Sequence, residues 1–113
     1  MSAKSNRARL EKILKYIEDI QNIVFRHGNL ESALKDIEGQ YAIMLCMIQI
    51  GEILNKIDNP VYAQKLPIKY AVAFRNILVH DYDSVHLQTV EKILEESLPD
   101  LKRKIEEIFA TEI

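Results

Sequence analysis

The sequence has little of what breaks regular structure. Among 113 residues there are three glycines and three prolines. That scarcity excludes a collagen-like or linker-rich chain and argues against disorder. There is one cysteine, Cys46, so no internal disulfide can form. It lies in an apolar helical run and reads as a small core residue in a reducing compartment. Internal repeats and low-complexity segments are missing. No N-terminal apolar stretch resembles a signal peptide, and no apolar run approaches the roughly 20 residues that span a bilayer. The expectation is a cytoplasmic protein with no membrane association.

A basic excess is also missing. Fifteen Lys and Arg face 17 Asp and Glu, for a formal net charge of -2. Dedicated nucleic-acid binders are usually basic overall, so any such binding would rest on a local patch. One basic cluster stands near the start: Lys4, Arg7, Arg9, Lys12 and Lys15, interrupted by Glu11. Its first reading is a solvated helix face, and its sharper one an RNA-steering patch.

What is present is a 48% hydrophobic, 28% charged composition. This is the balance of a helical globular protein, and the length suits one domain over residues 1–113. A first helix is predicted over residues 6–27, where Leu10, Ile13, Leu14, Ile17, Ile20 and Val24 form one apolar stripe. Gly28 ends it, and His27 beside it reads as a partner of the helix dipole. A second helix is predicted over residues 30–57, with Asn29 as N-cap. Leu34, Ile37, Tyr41, Leu45, Ile48 and Leu54 carry much of its stripe. Residues 42–50 are apolar nearly all round, as in a helix buried on more than one side.

Residues 60–66 hold room for one helical turn. Pro67 suits the first turn of a third helix running to His80. Residues 81–84 read as a tight junction, with Ser84 as a candidate N-cap. A fourth helix covers residues 85–96. Ser97-Leu98-Pro99-Asp100 then starts a fifth, or a kinked continuation, reaching Ala110. The fold expected is all-α: an up-and-down bundle of four to five helices.

The segment from Pro67 to Ser84 carries the chemistry. Tyr70, Phe74, Ile77 and Leu78 share a helix face, read as the core face. Arg75, Asn76 and His80 fall on the other side, with Val72 and Val79 between them. Asn76 and His80 are one turn apart. Arg75 and His80 differ by roughly 140° in azimuth and about 7.5 Å in rise, an arc that long side chains span. Polar groups flanked by valines suit a face packed on a second copy of the chain, which predicts a homodimer. Glu52 lies among apolar residues and needs a partner, either Arg75 or a backbone amide of the third helix. A metal site from His80, Asp81, Asp83 and His86 matches no familiar ligand spacing, and those aspartates suit turn and capping roles better.

Arg75-Asn76-Ile77-Leu78-Val79-His80-Asp81-Tyr82 resembles the R-x4-H-x-Y motif of the HepT-like HEPN toxins. Ile50-Gly51-Glu52 is similar to the I-G-E of that family's second long helix, and Leu98-Pro99-Asp100-Leu101 to its L-P-x-L before the last helix. The likeness covers about residues 40–108. The chain departs from the family where tryptophan is common, at Ile68 and Glu91, and at Ala73-Phe74, where Gly-Met is common. The resemblance implies a HEPN-like bundle and a metal-independent endoribonuclease, active as a homodimer and needing no cofactor. It also implies a partner, a nucleotidyltransferase antitoxin of the MntA type, that silences the toxin by transferring AMP to Tyr82.

The residues suit that chemistry. Metal-free RNA cleavage has the 2'-hydroxyl attack the adjacent phosphate. It needs a base, an acid and positive charge at the phosphorane. His80 can serve as base or acid. Arg75 grips phosphate oxygens with paired donors, and Asn76 orients His80 or the phosphate. One motif histidine per chain makes two per dimer, enough for base and acid. Tyr82 could stack on a base, and AMP there would repel and occlude RNA. The competing reading is a non-catalytic helical module that docks a nucleotidyltransferase or a nucleotide.

Overall fold

A computed structural model describes residues 3–112. The architecture is all-α, with no strand among the described residues. Helix α1 spans Ala3–Arg26, α2 Leu30–Lys35, α3 Ile37–Asn55, α4 Pro60–Lys65, α5 Ile68–His80, α6 Leu87–Lys92 and α7 Leu98–Ala110. One widened turn, Ile93–Ser97, joins α6 to α7.

The long first helix forms as its stripe predicts. Leu10, Ile13 and Ile17 are at most 1% exposed. They meet Ile43 and Leu54 of α3, Val90 of α6, and Ile105 and Ile108 of α7 in one core. Each such side chain contributes roughly 1.5–3 kcal/mol by leaving water. Asn6 pins the start of α1 to the end of α3. Its amide donates to the Asp58 carboxylate (2.9 Å) and accepts from the Asp58 backbone N–H (3.2 Å). Arg7 reaches the far end of α7, pairing with Glu112 and lying over the Phe109 ring. Helices α1 and α3, and α1 and α7, therefore run antiparallel.

Two members of the basic cluster on α1 are paired with carboxylates. Arg7 pairs with Glu11 and Glu112, and Lys15 with Asp19. The Lys4 side chain lies outside the described residues.

The predicted second helix is two helices. Asp36 interrupts it, in an extended conformation (φ -80°, ψ 128°), and its carboxylate accepts from the Gly39 N–H to cap α3. His27 holds that cap from the other side. Its Nδ1 lies 2.7 Å from the Ile23 carbonyl and its Nε2 3.1 Å from the Asp36 carboxylate. Asn29 caps α2, accepting from the Ser32 N–H. Gly39 is required where it stands, because a Cβ there would sit 2.4 Å from the Ala33 carbonyl oxygen.

The break also turns α3. Ile37, Tyr41 and Leu45, read as part of a buried stripe, are more than half exposed. Ile43, Met44, Cys46, Met47, Ile50, Ile53 and Leu54 face inward instead. A helix apolar all round does not declare its inner face, and its neighbours choose it. By length and composition α3 is apolar enough to cross a membrane, yet it is the central rod of the bundle, with α1, α2 and α5 packed on it.

Ser84 is not an N-cap. Tyr82–Ser84 forms a single 3-10 turn in which the Ser84 hydroxyl donates to the Asp81 carbonyl, and α6 begins later, at Leu87. Helices α6 and α7 are one kinked rod. Pro99 has no N–H to give to Glu95, and the turn before it widens so that the Leu98 N–H reaches back to the Ile93 carbonyl.

Candidate active site

The site is built on the antiparallel seam between α3 and α5. Gly51 makes the close approach possible. A Cβ at that position would stand 2.6 Å from Arg75 Cβ and 3.0 Å from the Ala71 carbonyl oxygen. Arg75 therefore enters the seam. This corrects the face assigned from the sequence. On α5 only Leu78 is fully buried. Ala71 and Arg75 face α3, whereas Tyr70 is 83% exposed and Ile77 46%. Counting apolar residues around the helix misplaced the face, because a glycine on the facing helix admits an arginine stem in place of a hydrophobic side chain.

Arg75 is held on two sides. One Nη donates to the Glu52 carboxylate and the other to the Asn76 amide oxygen (2.8 Å). Its Nε is buried with no hydrogen-bond partner among the described residues. The Glu52–Arg75 pair is about two-thirds buried on both sides, so it is only partly screened by water and fixes the guanidinium. Each Nη keeps a second N–H for an incoming anion.

His80 closes α5 and is exposed. It makes no side-chain hydrogen bond or ion pair among the described residues. Asn76, one turn earlier, is bonded to Arg75 rather than to His80. The structure thus joins Glu52, Arg75 and Asn76 and leaves His80 unrestrained one turn further along.

Tyr82 forms a second cluster. The helix stops at His80, and the turn that follows sends Tyr82 back onto α3. Its hydroxyl donates to Gln40 Oε1 at 2.5 Å, and its ring meets Tyr41 edge-on, with centroids 6.0 Å apart at 72°. Burial raises the phenol above its ordinary value of 10.0, helped by Tyr41 and Asp83. Tyr82, Tyr41, Met44, Leu45 and Ile48 line a shallow apolar hollow of about 310 Å³.

Three of these residues escaped the sequence reading: Gly51 as a contact residue, Gln40 and Tyr41. Gly51, inside an apolar helix, carried a signal of close helix approach. Gln40 carried none, since it lies 42 residues from Tyr82. Asp81, Asp83 and His86 are exposed, and no cluster of metal-ligating side chains occurs among the described residues.

A profile described as "Ribonuclease HepT-like" matches residues 13–108. The chain belongs to that family. It is 28% identical over 111 residues to "Putative RNase MJ1216" of Methanocaldococcus jannaschii, covering 96% of this chain and 91% of that protein. A second protein of that organism, "Putative RNase MJ0125", is also 28% identical over 111 residues, covering 96% of this chain and 95% of the relative. "Probable ribonuclease HepT" of Thermococcus cleftensis is 29% identical over 107 residues, covering 93% and 96%. No solved structure matches the chain.

Proposed function

We propose that this chain is a metal-independent endoribonuclease, the toxin subunit of a HepT/MntA-type pair. The observation that carries the reading is the fixed Arg75 guanidinium at the α3–α5 seam, with His80 exposed further along the same helix. Arg75 binds the scissile phosphate through its free N–H groups and stabilises charge on the phosphorane. His80 moves the proton, taking it from the 2'-hydroxyl or giving it to the leaving 5'-oxygen. Asn76 and Glu52 keep the guanidinium in place.

Two proton transfers call for two histidines, and a homodimer supplies them. The two helices that build the site leave Tyr41, Leu45, Ile77 and Val79 more than two-fifths exposed, an apolar surface suited to a second copy. The partner is a MntA-type nucleotidyltransferase of the same cytoplasm, which silences the enzyme by transferring AMP to Tyr82. The added phosphate and nucleoside oppose RNA by charge and bulk. A non-catalytic docking module is the second reading, favoured by the engagement of both Arg75 Nη atoms within the protein.

The test is cleavage of total RNA by the purified protein in EDTA, beside Arg75→Ala and His80→Ala. The enzyme reading expects products with 2',3'-cyclic phosphate ends, lost in both variants. RNA retained without cleavage by the parent supports the docking module.

A further inference from the structure

The Tyr82 hydroxyl is already engaged, and the direction of its bond is fixed by a neighbour. Gln40 Nε2 lies 3.0 Å from the Leu34 carbonyl in the last turn of α2. A carbonyl only accepts, so the Gln40 NH₂ faces Leu34 and its oxygen faces Tyr82. The amide oxygen must then accept, and Tyr82 must donate its one proton to it. Gln40 is itself seated by the cap of α3, its N–H donating to the Asp36 carbonyl at 2.8 Å. The chain Leu34–Gln40–Tyr82 therefore runs from α2 across the start of α3 to the turn after α5.

We propose that Gln40 is a positioning residue that holds the Tyr82 hydroxyl as a donor and so withholds it from nucleotidyl transfer. This rests on the reading of Tyr82 as the AMP acceptor. In that transfer the phenolic oxygen attacks the α-phosphorus of a nucleoside triphosphate. The new O–P bond forms as the bond to the bridging oxygen breaks, and pyrophosphate leaves with the electron pair. The phenolic proton must go to a base. An amide oxygen is too weak a base to take it, so the proton leaves only after the bond to Gln40 is broken and a base of the transferase takes that place. The edge-on contact with Tyr41 holds the ring against α3 in the same restrained pose. The site is then poised active, and its silencing waits on the partner rather than on nucleotide alone.

Two variants with opposite effects test this. Gln40→Met keeps length and helix propensity but removes the acceptor. Gln40→Glu replaces it with a stronger, anionic acceptor. Ionisation of Tyr82 is followed by NMR of the ring carbon bearing oxygen, with exposed Tyr70 as internal reference and Tyr82→Phe for assignment. AMP incorporation from ATP by a MntA-type transferase is followed in parallel. Gln40→Met should lower the Tyr82 titration midpoint and speed incorporation by about threefold to tenfold, the range one neutral hydrogen bond supports. Gln40→Glu should raise the midpoint and slow incorporation. A purely structural Gln40 would lower the melting temperature and leave the midpoint where it was, which would overturn the proposal. Equal incorporation rates in all three proteins, or rates that move the same way in both variants, would overturn it as well. If the parent takes up no AMP, the acceptor reading fails, and the restraint by Gln40 is then decided by the two midpoints alone.

Discussion

Helices α1 and α5 occupy comparable positions against α3 and are built on opposite terms. Along α1 the inward residues are Leu and Ile, closed to solvent from Leu10 to Ile20, and its charges pair with neighbours on the outer face. Along α5 one residue, Leu78, is fully buried. Ala71 and the Arg75 stem lie against Gly51 of α3, Ile68 and Phe74 are only partly buried, and Tyr70, Ile77 and Val79 stay exposed. The first helix is organised for stability. The second packs less closely, holds a guanidinium against α3 and leaves His80 exposed at its end.

That contrast is broken or sharpened by substitution. The largest effect expected is on activity. Arg75→Ala should reduce RNA cleavage by on the order of 100- to 10,000-fold, the range for loss of one positioned group, as measured by single-turnover assays. Next comes the α1 core. Leu10→Ala should cost about 2–5 kcal/mol in chemical unfolding through lost burial and a cavity. Gly51→Ala should cost about 1–3 kcal/mol, because the new Cβ overlaps Arg75 and must push α5 outward. That variant should lose cleavage out of proportion to its stability. Glu52→Gln should cost about 1–2 kcal/mol, between the values for exposed and buried pairs, and should weaken RNA binding by loosening Arg75.

The smallest effect lies furthest from the seam and depends on pH. The Ile23 carbonyl, then the Asp36 carboxylate, raises His27 above 6.5. The Gly39 N–H, then His27, lowers Asp36 below 3.8. The stability that His27 adds is full below about 6.5 and is lost as pH rises through its higher folded value. That of Asp36 is present above about 3.8 and is lost as pH falls through its lower folded value. Melting curves should therefore show a modest loss as pH rises above about 6.5, absent in His27→Gln.

How much of this was legible follows the same division. The α1 stripe, the Asn29 cap, the short turn after Pro60 and the kink before Pro99 could be read because each has a local cause. The break at Asp36 could not, since an aspartate between apolar residues reads equally well as a solvated helix position. The inner face of α3 was hidden by its uniform hydrophobicity. The α5 face was misread because what places Arg75 inside is Gly51, on another helix. At the site, Arg75, Asn76 and His80 were singled out by their resemblance to the R-x4-H-x-Y motif, and Glu52 by its need for a partner. Gln40 is set opposite Tyr82 by the fold alone.

The most direct test is His80→Ala, measured for both melting temperature and RNA cleavage on the same preparation. His80 is exposed and makes no side-chain bond among the described residues, so the account predicts a melting temperature within about 1 °C of the parent together with loss of cleavage. Cleavage retained at the parental rate, or activity lost only in step with unfolding, would contradict it.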